Sequence, residues 1–389
     1  MSIMHALLNV LGLAILLVSS GFSLVTLFAV LLWATRRRQP PPSVEARRPV
    51  TLLKPLCGAE PDLYRHLRSF CEQDYPQFQI VFGVRDPNDG ALAAVNRLVA
   101  EFPHLAIDVV IDTRLHGENY KTSNLLNMFE MARFDLLVIA DSDAIVGPDY
   151  LASVTAPLLD SKVGLVTCAY RSTPTPTIWS RLGAMYINEW FMPSVLLARL
   201  FGHQQYASGQ TLCLRRGTLQ AIGGLQAIAS HLADDFRLGE LVRESGLRIV
   251  MSEYQVEVKH HEPSAMALFR HELRWMHTLR VVRPRSFRLI FFSFSLPMAT
   301  VGLVLALLGA GGNSTNALYL FTVTVAARLG LHVVQRLTAG RSVLSDIWLV
   351  PARDFLLSWT WWRSFANSSV TWRGHEFAVD AQGMMRRMA

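Results

Sequence analysis

The sequence predicts an α/β domain with a mostly parallel sheet, carried between apolar segments long enough to cross a membrane. Three observations predict it. Residues 6–34 are almost wholly apolar. Short β-rich runs then alternate with helical patterns as far as about Val258, and further apolar runs follow Arg288. Composition agrees. Of 389 residues, 51% are hydrophobic and 17% charged, where a soluble domain carries about 25% charge, and the mean hydropathy is +0.26.

The first run, Ala6 to Ala34, exceeds the roughly 20 residues that span a bilayer. It is longer than the apolar part of a signal peptide, and no small-residue cleavage site follows. Residues 1–35 are therefore expected as an N-terminal transmembrane helix. Arg36-Arg37-Arg38 closes it, which places the amino terminus outside and the next domain in the cytoplasm. Residues 36–48, with three consecutive prolines, read as a short stiff linker.

Residues 49–286 form the expected catalytic domain. Val50–Lys54, Ile80–Val84, Ile107–Ile111, Leu136–Ala140 and Val163–Cys168 read as strands, with helices over Asp62–Cys71, Gly90–Glu101 and Ser123–Ala132. That alternation points to βαβ units, which bind ligands at the carboxyl ends of their strands. An apolar stretch from Trp190 to Gly202 reads either as a buried helix or as one lying on the membrane.

Residues 287–366 are expected as C-terminal membrane helices. Leu289–Ala310 and Ala317–Val334 are long enough to cross, and Arg328 and His332 in the second should face protein rather than lipid. Ile347–Phe365, rich in tryptophan, is expected at the interface without crossing. Residues 367–389 then form a cytoplasmic tail.

The net charge is +7. Much of the arginine borders apolar runs, so anionic lipid headgroups explain the excess and no nucleic-acid partner is expected. The four cysteines are scattered, with no CxxC spacing, which suits a reduced compartment.

Acidic residues follow three strands: Asp86, then Asp141-Ser142-Asp143, then Asp234-Asp235. An aspartate at a strand end is commonly a turn residue or a helix cap. The Asp-x-Asp pair says more. A buried run, Leu137–Ala140, delivers two carboxylates to one strand end, where a divalent cation (Mg2+ or Mn2+) would neutralise a nucleotide diphosphate. Asp141 and Asp143 are thus the candidate metal ligands. Asp235, among other carboxylates, would have a raised pKa and serve as general base; the alternative is a cap on the helix after it. Lys121, near a helix start, suits a phosphate or uracil, and Lys54 at the end of the first strand would touch the base. The glycine of Ser208-Gly209-Gln210-Thr211 suggests close backbone approach to a ligand. On a predicted helix, Arg274 would meet diphosphate oxygens and Trp275 would wall a sugar or acceptor.

The order Asp86, Asp141-Ser142-Asp143, Asp235, His271-Glu272-Leu273-Arg274-Trp275 resembles the pattern of family 2-like glycosyltransferases. Leu52-Leu53-Lys54-Pro55-Leu56 and Asp74-Tyr75-Pro76 are similar to the ceramide glucosyltransferase family. Ser69–Pro76, Phe82–Pro87 and His231–Asp235 are closer still to hopanoid-biosynthesis-associated glycosyltransferases of bacteria. The resemblance implies a GT-A (Rossmann-like) fold, a UDP-sugar donor, a divalent cation and inversion at the anomeric carbon. It assigns Asp86 to the nucleotide, Asp141 and Asp143 to the diphosphate and metal, Asp235 to the base, and Arg274 and Trp275 to the acceptor and diphosphate motif. His271 departs from the Gln or Arg usual at the head of that motif. The implied reaction moves N-acetylglucosamine from UDP-N-acetylglucosamine to bacteriohopanetetrol, at the bacterial inner membrane, in a multi-pass protein with its catalytic domain cytoplasmic. The alternatives are glucose transfer from UDP-glucose to ceramide, and a polysaccharide synthase, which calls for more membrane helices than the sequence offers.

Overall fold

The computed structural model describes residues 3–36, 43–202, 207–310, 314–366, 369–372 and 375–388. Residues 37–42 of the linker, which hold its three prolines, lie outside them. The chain divides into two compact units. A helical unit takes Met1–Arg36, Pro174–His203 and Glu262–Ser368, and a sheet unit takes Arg37–Thr173, Gln204–His261 and Ser369–Ala389.

The sheet unit is built on strands β1 (Val50–Pro55), β2 (Phe78–Val84), β3 (Ala106–Ile111), β4 (Leu136–Ile139), β5 (Ala144–Ile145), β6 (Val163–Pro174), β7 (Leu212–Arg215) and β8 (Arg248–His260). Their order in the sheet is β3-β2-β1-β4-β7-β6-β8-β5. The first four are parallel. β7 then runs antiparallel to β4 and β6, and β5 antiparallel to β8. The expected parallel sheet is therefore only half of the observed one, which is mixed. β1, β2 and β4 are buried along their whole length, because helices cover both faces of such strands and favour unbroken apolar runs. The strand period of two divides the core. Leu52, Ile80 and Val138 pack on one face, and Leu53, Val81, Leu137 and Ile139 on the other.

The segment expected as a tail instead forms a second sheet of three antiparallel strands, β9 (Ser369–Trp372), β10 (His375–Val379) and β11 (Met385–Arg387). Strands this short, interleaved with charged residues, give no periodicity to read. Their alternate apolar positions are nevertheless buried at Val370, Phe377 and Met385.

In the helical unit, Ile3–Ala34 and Thr315–Thr338 are each long and apolar enough to cross a membrane, and a bent pair makes up to three spans. The bent pair is Pro284–Ser293 and Ser295–Gly309, angled by 68°, where the sequence alone shows one continuous apolar run. Pro297 explains the break: it cannot donate to Ser293 C=O, and its ring clashes there with a continuing helix. The helix Leu349–Arg363 has 15 residues and is not among the candidate spans. Small and hydroxylated side chains let these helices approach, as expected where lipid supplies no hydrophobic drive. A Cβ added at Gly12 would lie 2.5 Å from Gly302 O. Ser19 Oγ donates to Ser295 O at 3.0 Å, and Ser20 Oγ meets Thr324 Oγ1 at 2.9 Å.

Arg328 and His332 face protein, as expected from the sequence. Arg328 forks onto Asp354 at 2.9–3.1 Å and reaches Glu189 at 2.8 Å, and His332 Nδ1 lies 2.8 Å from the other Glu189 oxygen. All four are buried. Glu189 sits in a π-helical turn, Ile187–Phe191. Pro193 just after it has no N–H to offer the Glu189 carbonyl, so regular α-helix cannot run through this point. The Trp190–Gly202 stretch groups in the same unit as the candidate spans, largely as the short helix Met192–Leu200.

Candidate active site

Strand β4 ends at Ile139, and Asp141 follows two residues later. Its carboxylate is met by Lys121, whose Nζ lies 2.7 Å from Asp141 Oδ1 and 3.4 Å from Asp234 Oδ2. Burial opposes the charge on Lys121, but Asp141 and Asp234 outweigh it and raise its pKa. Lys121 lies in the first turn of the helix Tyr120–Phe129, whose N-cap, Asn119, accepts from Thr122 N at 3.0 Å. Such a cap stabilises by about 1 kcal/mol.

Asp234 and Asp235 open the helix Asp234–Glu244. Asp235 Oδ1 accepts the Phe236 amide and Oδ2 accepts the Gly209 amide, each at 2.7 Å. Burial, with Asp234 alongside, lifts the Asp235 carboxyl to about 6, against the pull of Lys121 and the two N–H groups. Asp235 is therefore helix-opening and titratable in a useful range at once.

Gly209 stands where these groups converge. A Cβ there would lie 3.1 Å from Asp141 Oδ2, 3.3 Å from Lys121 Nζ and 3.5 Å from Asp235 Oδ2. The glycine expected to admit close approach of a ligand thus stands against the acidic centre itself.

Asp143 completes the pair. Burial, then Asp141 and Glu60, push its carboxyl up to about 7. Its Oδ1 is buried, and among the described residues no hydrogen-bond partner reaches it; the same holds for Gln210 Oε1. A buried carboxylate oxygen without a partner is costly. A divalent cation is the natural partner for such oxygens, so the donor set fits one. Three carboxylates, those of Asp141, Asp234 and Asp235, gather around the ammonium of Lys121, and a dianionic diphosphate could not approach them without added positive charge.

Other candidates fall differently. Lys54 is fully buried over the Phe70 ring at 3.7 Å, and its ammonium donates to the Asp141 carbonyl. Burial lowers its pKa to about 7. It braces the turn that carries Asp141 rather than projecting into open space. Asp86 is exposed just beyond β2, with Oδ1 accepting the Asn88 amide at 2.8 Å. Among the described residues no hydrogen bond or ion pair joins it to Asp141, and its neighbour Arg85 stacks 4.5 Å above the Tyr120 ring. Glu60 and Gln210 were not singled out from the sequence. Glu60 accepts from Ser142 Oγ at 2.9 Å, a contact across 82 residues that no local pattern announces.

His271, Arg274 and Trp275 lie on the helix Ala265–Val282 of the helical unit. His271 Nδ1 is 2.6 Å from the buried Glu262 Oε1, and its ring sits 4.2 Å from Trp275. Trp275 in turn packs on Tyr186 at 4.9 Å. The departure at His271 therefore has a local use: it is paired with Glu262 and packs at a tilt against the tryptophan. Arg274 is half-buried.

A family model described as Glycosyl transferase family 21 matches residues 12–385. The chain belongs to glycosyl transferase family 21. It is a glycosyltransferase, as the acidic motifs led one to expect. Ceramide glucosyltransferase 1 of Caenorhabditis elegans is 22% identical over 358 residues, covering 87% of this chain and 73% of that protein. The ceramide glucosyltransferase of Komagataella phaffii is 31% identical over 107 residues, 26% of this chain and 20% of that one. Among solved structures, the mannosyltransferase PcManGT from Pyrobaculum calidifontis, in complex with GDP-Man and Mn2+, aligns with a TM-score of 0.56 at 19% identity, covering 92% of this chain and 99% of that one. At that identity the likeness shows the fold, and the fold of the family 21 enzyme is GT-A.

Proposed function

We propose that this family 21 enzyme transfers a hexose from a UDP-sugar to the hydroxyl of a membrane lipid, with inversion. The observation that carries the reading is the convergence of Asp141, Lys121 and Asp235 on the Gly209 backbone. Asp141 and Asp143 hold a divalent cation, which supplies the positive charge a diphosphate needs. Asp86 and Lys121 serve the nucleotide side, and Lys54 braces the Asp141 turn. Asp235 takes the proton from the acceptor hydroxyl as its oxygen bonds to the anomeric carbon and the bond to the diphosphate breaks. A carboxyl near 6 is mostly ionised at neutral pH yet more basic than an ordinary aspartate. Arg274, Trp275 and His271 belong to the acceptor and diphosphate side. The catalytic domain faces the cytoplasm, with the candidate spans as its membrane anchor.

The acceptor the relatives favour is ceramide, with glucose as the sugar, since ceramide glucosyltransferase 1 matches along most of this chain. A second reading, N-acetylglucosamine onto bacteriohopanetetrol at a bacterial inner membrane, is supported by the stretches Ser69–Pro76, Phe82–Pro87 and His231–Asp235. The test is turnover by the purified protein in detergent, with UDP-glucose and UDP-N-acetylglucosamine each offered against ceramide and bacteriohopanetetrol, and products read by mass spectrometry. A hexose on ceramide supports the first reading and a hexosamine on the hopanoid the second. Transfer to neither lipid overturns both.

A further inference from the structure

We propose that the C-terminal three-stranded sheet, β9–β11, is a clamp that sets the position of Asp235 relative to Lys121. The proposal rests on the reading of Asp235 as base. The loop Ser230–Ala233 immediately precedes Asp234-Asp235, and it is held from two sides. On one side stands the segment that leads into the Lys121 helix: Asn119 N donates to Ala229 O at 2.9 Å, Asn119 Nδ2 donates to His231 O at 2.9 Å, and Glu118 N donates to Ser230 Oγ at 3.3 Å. Gly117 admits this approach, since a Cβ there would lie 2.4 Å from Ala229 O.

On the other side stands the C-terminal sheet. Leu232 N donates to Gly383 O at 2.9 Å, Met385 N donates to Ser230 O at 2.8 Å, and His231 bridges antiparallel to Met384. The loop before Asp235 is in effect paired to the start of β11 and the turn that leads into it. The turn that presents these groups is itself fixed. Asp380 Oδ1 accepts from Gln382 N and Met384 N at 2.9 Å, and Gly383 has φ +82°, a conformation open to glycine and strained for other residues.

The same sheet also grips the Lys121 side. His375 and Phe377 meet the Tyr120 ring edge-on at 5.7 and 6.2 Å, and Tyr120 is the residue before Lys121. Phe377 is 0% exposed. One small sheet thus touches both elements that deliver the reacting constellation, by hydrogen bonds on the Asp235 side and by ring packing on the Lys121 side. Displacements of about 1 Å in such a constellation cost about a hundredfold in rate, so a clamp at this place governs turnover while touching no substrate itself.

The test uses the full-length enzyme with Phe377→Ala, Phe377→Leu and Asp380→Ala, measuring kcat, the donor KM and melting temperature in one detergent. Expected for Phe377→Ala and Asp380→Ala is a fall in kcat of at least tenfold; donor KM stays within about twofold in Asp380→Ala, which acts on the Asp235 side, and rises by less than kcat falls in Phe377→Ala, where Lys121 on the nucleotide side also shifts. Phe377→Leu keeps most of the packing and is expected to recover most of the rate. Unchanged kcat in folded Phe377→Ala and Asp380→Ala overturns the proposal, as does a rise in donor KM that accounts for the whole loss. If Phe377→Ala fails to fold, Asp380→Ala decides alone, since it removes only the turn's side-chain hydrogen bonds. Wild-type protein without transferase activity would instead overturn the function on which the clamp depends.

Discussion

Asp235 Oδ2 accepts the Gly209 amide at 2.7 Å, across 26 residues of chain. That hydrogen bond ties the helix carrying the proposed base to the turn before β7, and the same glycine leaves room for Asp141 Oδ2 and Lys121 Nζ. Gly209→Ala puts a methyl 3.1 Å from one and 3.3 Å from the other. The expected outcome is a loss of about a hundredfold in kcat/KM with little change in melting temperature. Wild-type turnover would show that the acidic centre tolerates displacement.

The pH dependence follows from the direction of the Asp235 shift. Burial raises its carboxyl to about 6, and a base acts only when ionised. Activity should therefore rise with pH through about 6 and level off above it. The check is kcat/KM between pH 4.5 and 8 at fixed ionic strength. A profile flat down to pH 4.5 would mean that no group of this kind limits the reaction.

Asp143 presents a buried oxygen that has no protein partner among the described residues. Asp143→Asn should weaken donor binding in the presence of Mn2+ or Mg2+ and leave cation-free binding unchanged. Calorimetry with and without the cation distinguishes the cases, and equal loss in both would remove Asp143 from metal binding.

In the helical unit, Arg328 holds Glu189 and Asp354. Removing one partner of a buried ion pair costs about 3–5 kcal/mol, because the other charge is left unpaired. Arg328→Leu should lower the melting temperature in detergent sharply, and adding Glu189→Gln and Asp354→Asn should restore much of it. An unchanged melting temperature in the single variant would mean that water already solvates these carboxylates.

The strands that carry the site were legible because buried parallel strands make continuous apolar runs. β1 to β4 fall within about two residues of their expected bounds. Asp141-Ser142-Asp143 and Asp235 were legible through their place at element ends. The partners were not. Glu60, Gln210 and the Lys54–Asp141 contact depend on folding that brings distant residues together, and Lys54 looks like any lysine at a strand end. In the antiparallel half of the sheet β6 was expected over Val163–Cys168, but β5 and β7 were hidden because they are only two and four residues long. The bend at Phe294 was hidden because hydropathy is blind to direction, although Pro297 marks it.

The most direct test of the central claim, that Asp235 takes the acceptor proton, is Asp235→Asn assayed for both lipid glycosylation and UDP-sugar binding. The substitution keeps the side chain's shape but cannot accept that proton. The expected result is a fall in kcat of about 10²–10⁴-fold with the donor dissociation constant within about twofold of wild type. Turnover at the wild-type rate would contradict the account, and so would a loss explained wholly by failure to bind the donor.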